Sequence, residues 1–418
     1  MSESQSDVLV LGAGVVGLTC AHYLLKAGRS VTVIDQGALG QGASHGNCGT
    51  ITPSHSAPLA MPGMVGKALR WMLRKDAPFR VAPRLDPALL AWMLRFAKHC
   101  NWKDFHRANR QRAAILQQSR QLLADLVRDE KLDCEFVESG TLHVFLSQRE
   151  LDAYAWHADA LREVGIPVEL LDGAQVRELE PILRDEVIGG MRHRGDAQLR
   201  PDRYVAELAR VVRAQGGDIV EHCAATGFDV GNGRITRVQT ASGPRRAREV
   251  VLALGAWSPL LARQLGLHIP VQPGKGYSIT YTRPNQANRM PLTLSEASVC
   301  VTAWPSGYRL GSTMEFAGYD TSLNRVRLDA LRRGAALYLR EPEGPQCVEE
   351  WYGWRPMTHD DLPILGRSDR VDNLTLATGH GMLGVSMSAA SGLLVSDLLC
   401  GRSPSLDPAP YDPARFAL

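Results

Sequence analysis

Apolar runs and apolar stripes follow one another along this chain in an order that predicts its elements. Val8 to Leu11 is an apolar run of buried-strand length, and Leu18 to Ala27 carries a helical pattern that stops at Gly28. Val31 to Ile34 reads as a second apolar strand, closed by Asp35. From about Ala60 to Val127 the pattern is helical and rich in basic and large apolar residues. Within it, "LLAWMLRFAKHC" places Leu89, Trp92, Met93 and Phe96 on one face and Arg95, Lys98 and His99 largely elsewhere. Partial alternation in "CEFVESGTLHVFLS" predicts strands, "SQRELDAYAWHADALREVG" a helix, "VEL" a short strand, and "QVRELEPIL" a short helix stopped near Pro181. "RPDRYVAELARVVRAQGGDIVEHC" predicts a helix and then a strand, followed by a hairpin turning at Gly231-Asn232-Gly233. Val250 to Leu254 is an apolar strand ending at Gly255, expected to rejoin the sheet begun at Val8. The stretch from Val271 to Leu339 is strand-rich first and helical afterwards, and "NLTLATGHGMLGVSMSAASGLLVSDLLCG" predicts a strand, a glycine-rich turn and a long apolar helix.

The first strand, helix and second strand form a βαβ unit, and the turn between strand and helix holds Gly12, Gly14 and Gly17 in GxGxxG spacing. The first glycine allows the tight turn, the second lets a pyrophosphate approach the backbone, and the third lets helix and strand pack closely. Val15 and Val16 then open a helix whose unpaired N–H groups and dipole favour phosphate. Asp35, with Gln36 after it, is placed to accept hydrogen bonds from ribose hydroxyls and disfavours a 2′-phosphate. A dinucleotide is therefore expected. A nicotinamide domain would continue with further helix and strand, whereas this chain enters "QGALGQGASHGNCGTITPSHSAPLAMPGM". Such a small-residue stretch suits backbone lying against an extended ligand, with a flexible surface loop as the competing reading. Gly379, Gly381 and Gly384 open a second helix at the far end of the chain. A ligand long enough to use both turns points to FAD rather than NAD.

Composition narrows the class. The 418 residues predict two domains, or one large domain with an insertion, at an ordinary 44% hydrophobic and 22% charged. A net charge of +3 is too small for a nucleic-acid surface, and no apolar run approaches the ~20 residues that span a bilayer. The start, "MSESQSDVLVLGAG", lacks the features of a signal peptide. Eight cysteines without a CxxC pair argue against a zinc ribbon, an iron–sulfur cluster or a disulfide framework; no metal is expected. Reduced thiols in a cytoplasm are the simplest reading. "KALRWMLRKDAPFR" and "LLAWMLRFAKHC" are cationic and amphipathic, so peripheral contact with the inner membrane is the alternative to ordinary domain helices.

Near the C-terminus, "EWYGWRPMTHDDLPILG" sets Arg355 among Trp351, Tyr352 and Trp354. Pro356 pushes Arg355 towards extended backbone, consistent with a strand projecting the side chain to one face. Either an external anion is its partner, or it pairs with Glu349, Glu350, Asp360 or Asp361 nearby in sequence.

Taken in order, the N-terminal unit, "ALGQGASHGNCGTITPSHSAPLAMPG", "VVLALGAWS", "PGKGYSIT", "YRLGSTMEFAG", "GWRPMTHDDLPILG" and "TGHGMLGVSMSAASGLLVSDLL" resemble FAD-dependent D-amino acid dehydrogenases. That group belongs with D-amino acid oxidase, glycine oxidase and sarcosine oxidase, and the bacterial dehydrogenase branch is the most similar. The resemblance implies an α/β protein with a Rossmann-like FAD-binding domain built from discontinuous segments (1–60, 190–270 and 350–418). A mixed-sheet substrate domain with helices (61–189 and 271–349) would lie over the flavin. It implies that Gly12, Gly14, Gly17 and Asp35 hold the ADP half. Ser44, Asn47, Cys48, Gly49 and Thr50 would follow the pyrophosphate or ring, and Gly255 and Trp257 would adjoin the cofactor. Gly379, His380, Gly381, Met382, Leu383 and Gly384 would approach its pyrimidine end. Arg355 matches the substrate-carboxylate clamp and Tyr277 a tyrosine facing the flavin; His55 and His359, departures from the branch, become candidates for the active site or its mouth. Cys48 does not match the attachment cysteine of the sarcosine-oxidase branch, so no covalent flavin is expected.

The implied reaction is oxidation of a small amino or imino acid, with hydride passing from Cα to flavin N5 and an imine as product. D-Proline and D-hydroxyproline are cyclic options, and a quinone or other respiratory-chain carrier is a candidate acceptor. A glycine- or sarcosine-type oxidase using O2, or an FAD-binding subunit of an electron-transfer complex, are the alternatives.

Overall fold

Two large sheets organise the chain in the computed structural model, which describes residues 6–72 and 79–416. The first runs in the order Ile364–Arg367, Leu374–Thr378, Ala247–Leu252, Ser6–Leu11, Val31–Ile34 and Asp218–Val220. Its strands are parallel except for the Ile364–Arg367 edge. The expected return to the first strand is found, with Leu9 opposite Val250 and Leu11 opposite Leu252. These strands read as continuous apolar runs because both faces are covered. Val8 and Val10 pack under the helices Val15–Lys26, Pro201–Ala214 and Gly384–Leu399, whereas Leu9 and Leu11 pack against the opposite layer. That layer is the hairpin Ala225–Gly231 and Arg234–Thr240, which turns through Asn232 and Gly233, both at positive φ.

The second sheet runs Cys347–Thr358, Val271–Tyr281, Gly307–Phe316, Val299–Trp304, Leu292–Leu294, Thr141–Phe145, Gly189–His193 and Glu169–Asp172. Phe79–Val81 adds a short pairing to Gly307–Phe316. One face is closed by the helix Arg325–Tyr338, whose Leu328, Leu331 and Ala335 meet Ile279, Leu292, Val301 and Leu310. The other face looks towards the glycine-rich turns of the first sheet.

Sheet membership moves the expected domain boundaries at two points. Residues 350–358 belong to the second sheet, because Cys347–Thr358 pairs with Val271–Tyr281 along its length, from Thr358↔Val271 to Cys347↔Tyr281. Residues 190–193 likewise sit in Gly189–His193, beside Thr141–Phe145. The expected helical stretch from Ala60 to Val127 contains the strand Phe79–Val81 as well as three helices, Met64–Met72, Pro87–His99 and Trp102–Asp129. The last two separate where Asn101 caps a new helix by accepting from the Asp104 N–H. Leu89 and Trp92 are buried while Arg95 and Lys98 are exposed, as the stripe predicts. Part of "KALRWMLRKDAPFR" lies outside the described residues. Among the described residues, no helix is long and apolar enough to cross a membrane.

Candidate active site

Between the two sheets lies a cavity of about 890 Å³. At one end the helix Val15–Lys26 begins, with Gly12, Gly14, Val15 and Val16 in the wall. Gly12 has φ +109°, and a Cβ there would lie 2.5 Å from the Ala253 carbonyl oxygen. Asp35 accepts from the Ala13 N–H at 2.7 Å and the Gly37 N–H at 3.0 Å, so its carboxylate braces the turn and also faces the cavity beside Gln36. Ser44 Oγ accepts from the Val15 N–H at 3.3 Å.

The loop that follows is held from the second sheet. Arg309 is buried, and its guanidinium donates to the carbonyls of His45 (3.0 Å) and Asn47 (2.7 Å) and to Thr280 Oγ1 (2.9 Å). These bonds fix Asn47, Cys48 and Thr50 along the cavity. The neighbouring turn is held in the same way by buried Arg112, which donates to the carbonyls of His55, Ser56 and Asp361. At the far end the helix Gly384–Leu399 opens onto the cavity through His380, Gly381, Met382, Leu383 and Gly384, with Gly255 and Trp257 adjoining. Two helix N-termini, with their exposed donors and dipoles, therefore open onto one long cavity, a donor set that suits an extended dinucleotide.

On the second sheet, Arg355 faces this cavity. It is half-buried, the accessible part being cavity wall, and its Nη1 donates to the Thr313 carbonyl at 2.6 Å. Its guanidinium lies across Gly276, where a Cβ would come within 2.5 Å of it. The four carboxylates near it in sequence are engaged elsewhere. Glu349 bonds His45 at 2.9 Å, and Glu350 bonds Arg325 and Arg332. Asp360 takes Arg415 at 2.8 Å, and Asp361 takes the Ala60 N–H at 3.0 Å and lies 3.9 Å from Arg112. Among the described residues no carboxylate pairs with Arg355. Trp351 shares its face and lies over Gly46 and Gly353, while Trp354 stacks edgewise on Trp257, Tyr319 and Tyr352.

Several expected site residues sit differently. Tyr277 touches the cavity wall, but its hydroxyl donates to Glu315 at 2.8 Å within the core beneath the Arg325–Tyr338 helix. Alternation along the strand gives the cavity face to Gly276 and turns the tyrosine side chain away. His359 is absent from the cavity wall. It follows directly on the end of the strand at Thr358 and lies in a separate pocket, where it stacks on His99 at 5.2 Å and meets Phe416. Gly17, Gly49 and Gly379 also stay out of the wall and act by close packing: Cβ atoms there would lie 1.9 Å from Gly12 O, 2.0 Å from Leu199 O and 2.7 Å from Thr358 Cγ2. His55 does line the cavity. Burial and the Arg112 charge push its pKa down to about 4.

Arg309, Arg112, Cys300 and His143 lie at the site without a local motif to announce them. His143 is 2% exposed, lines the cavity 5.5 Å from the His55 ring, and leaves both ring nitrogens without a protein partner. Asp196, also buried, supports the same region by accepting from Ser54 N–H and Oγ and from Thr141 Oγ1. Burial raises its pKa to about 6 despite these bonds. A carboxyl raised above its unfolded value contributes fully below about pH 4 and loses that contribution as pH rises through about 6. Asp196→Asn should therefore gain about 3 kcal/mol relative to wild type between about pH 4 and pH 7, measured by denaturant unfolding. A pH-independent difference would remove this assignment.

Comparison with known proteins agrees with this geometry. Residues 7–398 match the family model described as DAO, FAD dependent oxidoreductase. A D-amino acid dehydrogenase from Cereibacter sphaeroides is 37% identical over 420 residues, covering 98% of this chain and 95% of the relative. One from Agrobacterium fabrum is 35% identical, covering 98% of this chain and all of the relative. Among solved structures, glycine oxidase from Geobacillus kaustophilus superposes with a TM-score of 0.79 at 24% identity, covering 98% of each chain. L-proline dehydrogenase from P. horikoshii gives 0.78 at 21% identity, covering 99% of this chain and 98% of that one. Both share the fold.

Proposed function

From the premise that this chain belongs to the FAD-dependent oxidoreductase family, we propose that it dehydrogenates a D-amino or imino acid whose carboxylate is held by Arg355. The protein is an FAD oxidoreductase acting on amino groups, and its substrates are small amino acids. The observation that supports the finer reading is a cavity-facing guanidinium whose neighbouring acids are all committed elsewhere. Bound FAD would supply the two-electron acceptor for the hydride that leaves Cα.

Gly12, Gly14, Val15, Val16 and Asp35 would hold the ADP half, and Ser44, Asn47, Cys48 and Thr50 the stretch towards the ring. The start of the Gly384–Leu399 helix would lie at its pyrimidine end, where its dipole favours negative charge. Arg355 binds and orients: two parallel charge-assisted bonds would fix the carboxylate plane and so aim the Cα–H bond. The Thr313 carbonyl takes one N–H of the guanidinium and sets its plane. His55, kept neutral at physiological pH, can exchange one hydrogen bond with the substrate amine. Its low basicity suits orientation better than proton storage. The reading with a cyclic substrate, D-proline or D-hydroxyproline, rests on the same clamp.

An anaerobic screen of D- and L-amino acids, prolines included, tests the proposal by substrate-dependent bleaching of the flavin. Bleaching by L-amino acids alone would overturn it. Peroxide formation with O2 as sole acceptor would favour an oxidase over a dehydrogenase passing electrons to a quinone. Gly276→Ala is expected to keep its flavin and lose about 100-fold or more in kcat/KM, because the added methyl displaces the guanidinium. Unchanged kinetics would show that the guanidinium has room to move.

A further inference from the structure

Cys48 and Cys300 meet inside this cavity, although one comes from the loop held by Arg309 and the other from the strand Val299–Trp304. Across the sheet, Cys300 is paired directly with Gly311. A Cβ on Gly311 would lie 2.5 Å from Cys48 Sγ, so the Cys48 thiol fills the space that glycine leaves. Cross-strand partners on one face have Cβ positions about 5 Å apart, which brings the Cys48 sulfur next to the Cys300 side chain. The Cys300 thiol, Arg309 and Arg355 all act on Cys48, and Cys300 Sγ also lies 3.9 Å from Thr302 Oγ1.

That setting differs from those of Cys20 and Cys134, both buried in the apolar core. The Cys300 thiol, then the two arginines, draw Cys48 below its ordinary pKa against the effect of burial, and the Cys48 sulfur in turn pushes Cys300 up. Cys20 and Cys134, in apolar surroundings, are pushed up to about 12. A thiolate that is electrostatically favoured and open to a cavity is the reactive kind, and a second thiol beside it can resolve the first oxidation product.

We propose that Cys48 is a nucleophile towards hydroperoxides, that Cys300 is its resolving thiol, and that the disulfide they form closes the substrate chamber beside Arg355. In the first step the Cys48 thiolate attacks the O–O bond, an S–O bond forms, and the displaced oxygen leaves as alkoxide or hydroxide and takes up a proton. In the second, Cys300 sulfur attacks the Cys48 sulfenic acid, the S–S bond forms, and water leaves with the Cys300 proton. The two sulfurs together lose two electrons, which reduce the peroxide bond. A dithiol reverses the change by exchange. The effect on turnover rests on the Arg355 reading, whereas the sulfur chemistry does not.

The test treats the FAD-loaded protein with hydrogen peroxide, alkylates the remaining thiols and maps peptides by mass. A linked Cys48–Cys300 peptide should form at least about tenfold faster than exposed Cys347 is oxidised. Amino-acid turnover should fall in step while flavin stays bound, and dithiothreitol should restore it. Cys300→Ser should instead give a sulfenic acid at Cys48 that dimedone traps. Cys48 remaining reduced while Cys347 oxidises would overturn the assignment, and a linked peptide with full turnover would overturn the closure. If Arg355 variants retain normal kinetics while the linked peptide still forms, the functional reading fails and the thiol pair stands.

Discussion

Arg355→Lys should lower kcat/KM for the amino-acid substrate by about two orders of magnitude, roughly 3 kcal/mol of transition-state stabilisation, with the flavin content unchanged. Lysine keeps the positive charge and loses the planar fork, so the carboxylate would be attracted without being oriented. The bond to the Thr313 carbonyl would also go, and with it the plane of the clamp. Flavin content is expected to hold because the wall near the ADP end is built by Gly12, Gly14, Val15, Val16 and Asp35, at the other end of the cavity. Steady-state kinetics beside the flavin-to-protein absorbance ratio checks both halves. Wild-type kinetics in this variant would remove the clamp from the mechanism.

Gly17→Ala should abolish flavin binding, leaving below about a tenth of the wild-type flavin-to-protein ratio. A Cβ at position 17 would fall 1.9 Å from the Gly12 carbonyl oxygen, and neither partner is a flexible side-chain tip. Either the turn opens or the helix Val15–Lys26 moves off the first strand. Both take Val15 and Val16 away from the phosphate position. The helix is clamped on its far side, where Gly392 packs against Thr19 and Thr19 Oγ1 donates to the Ser388 carbonyl at 2.9 Å, so the strain would not relax cheaply. Circular dichroism of the variant separates lost binding from lost folding, and a full flavin complement at wild-type affinity would contradict the prediction.

The nucleotide half was the more legible part of the sequence. Glycine spacing, apolar runs and the closing acid are local: each acts within a few residues, through backbone sterics or burial on both faces. The substrate half was legible only as a list of strands. Tyr277 and Gly276 are neighbours, yet one belongs to the core and the other to the cavity, because side chains alternate and a shift of one residue exchanges the faces. His359 and Arg355 are four residues apart and end in different pockets because four residues of strand span about 13 Å, and His359 lies just beyond the strand's end at Thr358.

The sequence by itself determined a βαβ unit with a phosphate turn, a second glycine-rich turn at the opposite end, and motifs in an order that resembles one flavoenzyme group. Those features are written in residues close together along the chain. Only the tertiary structure decided which partners the charged and sulfur-bearing side chains have. Glu349, Glu350, Asp360 and Asp361 stand beside Arg355 in sequence, yet each is taken by another group. Arg309 reaches across to hold a loop more than 260 residues earlier, with Asn47 a separation of 262. Cys48 and Cys300 become neighbours because Gly311 leaves room between two sheet positions. Ion pairing, hydrogen bonding and thiol reactivity depend on distance through space, and that distance is set by strand register and sheet packing.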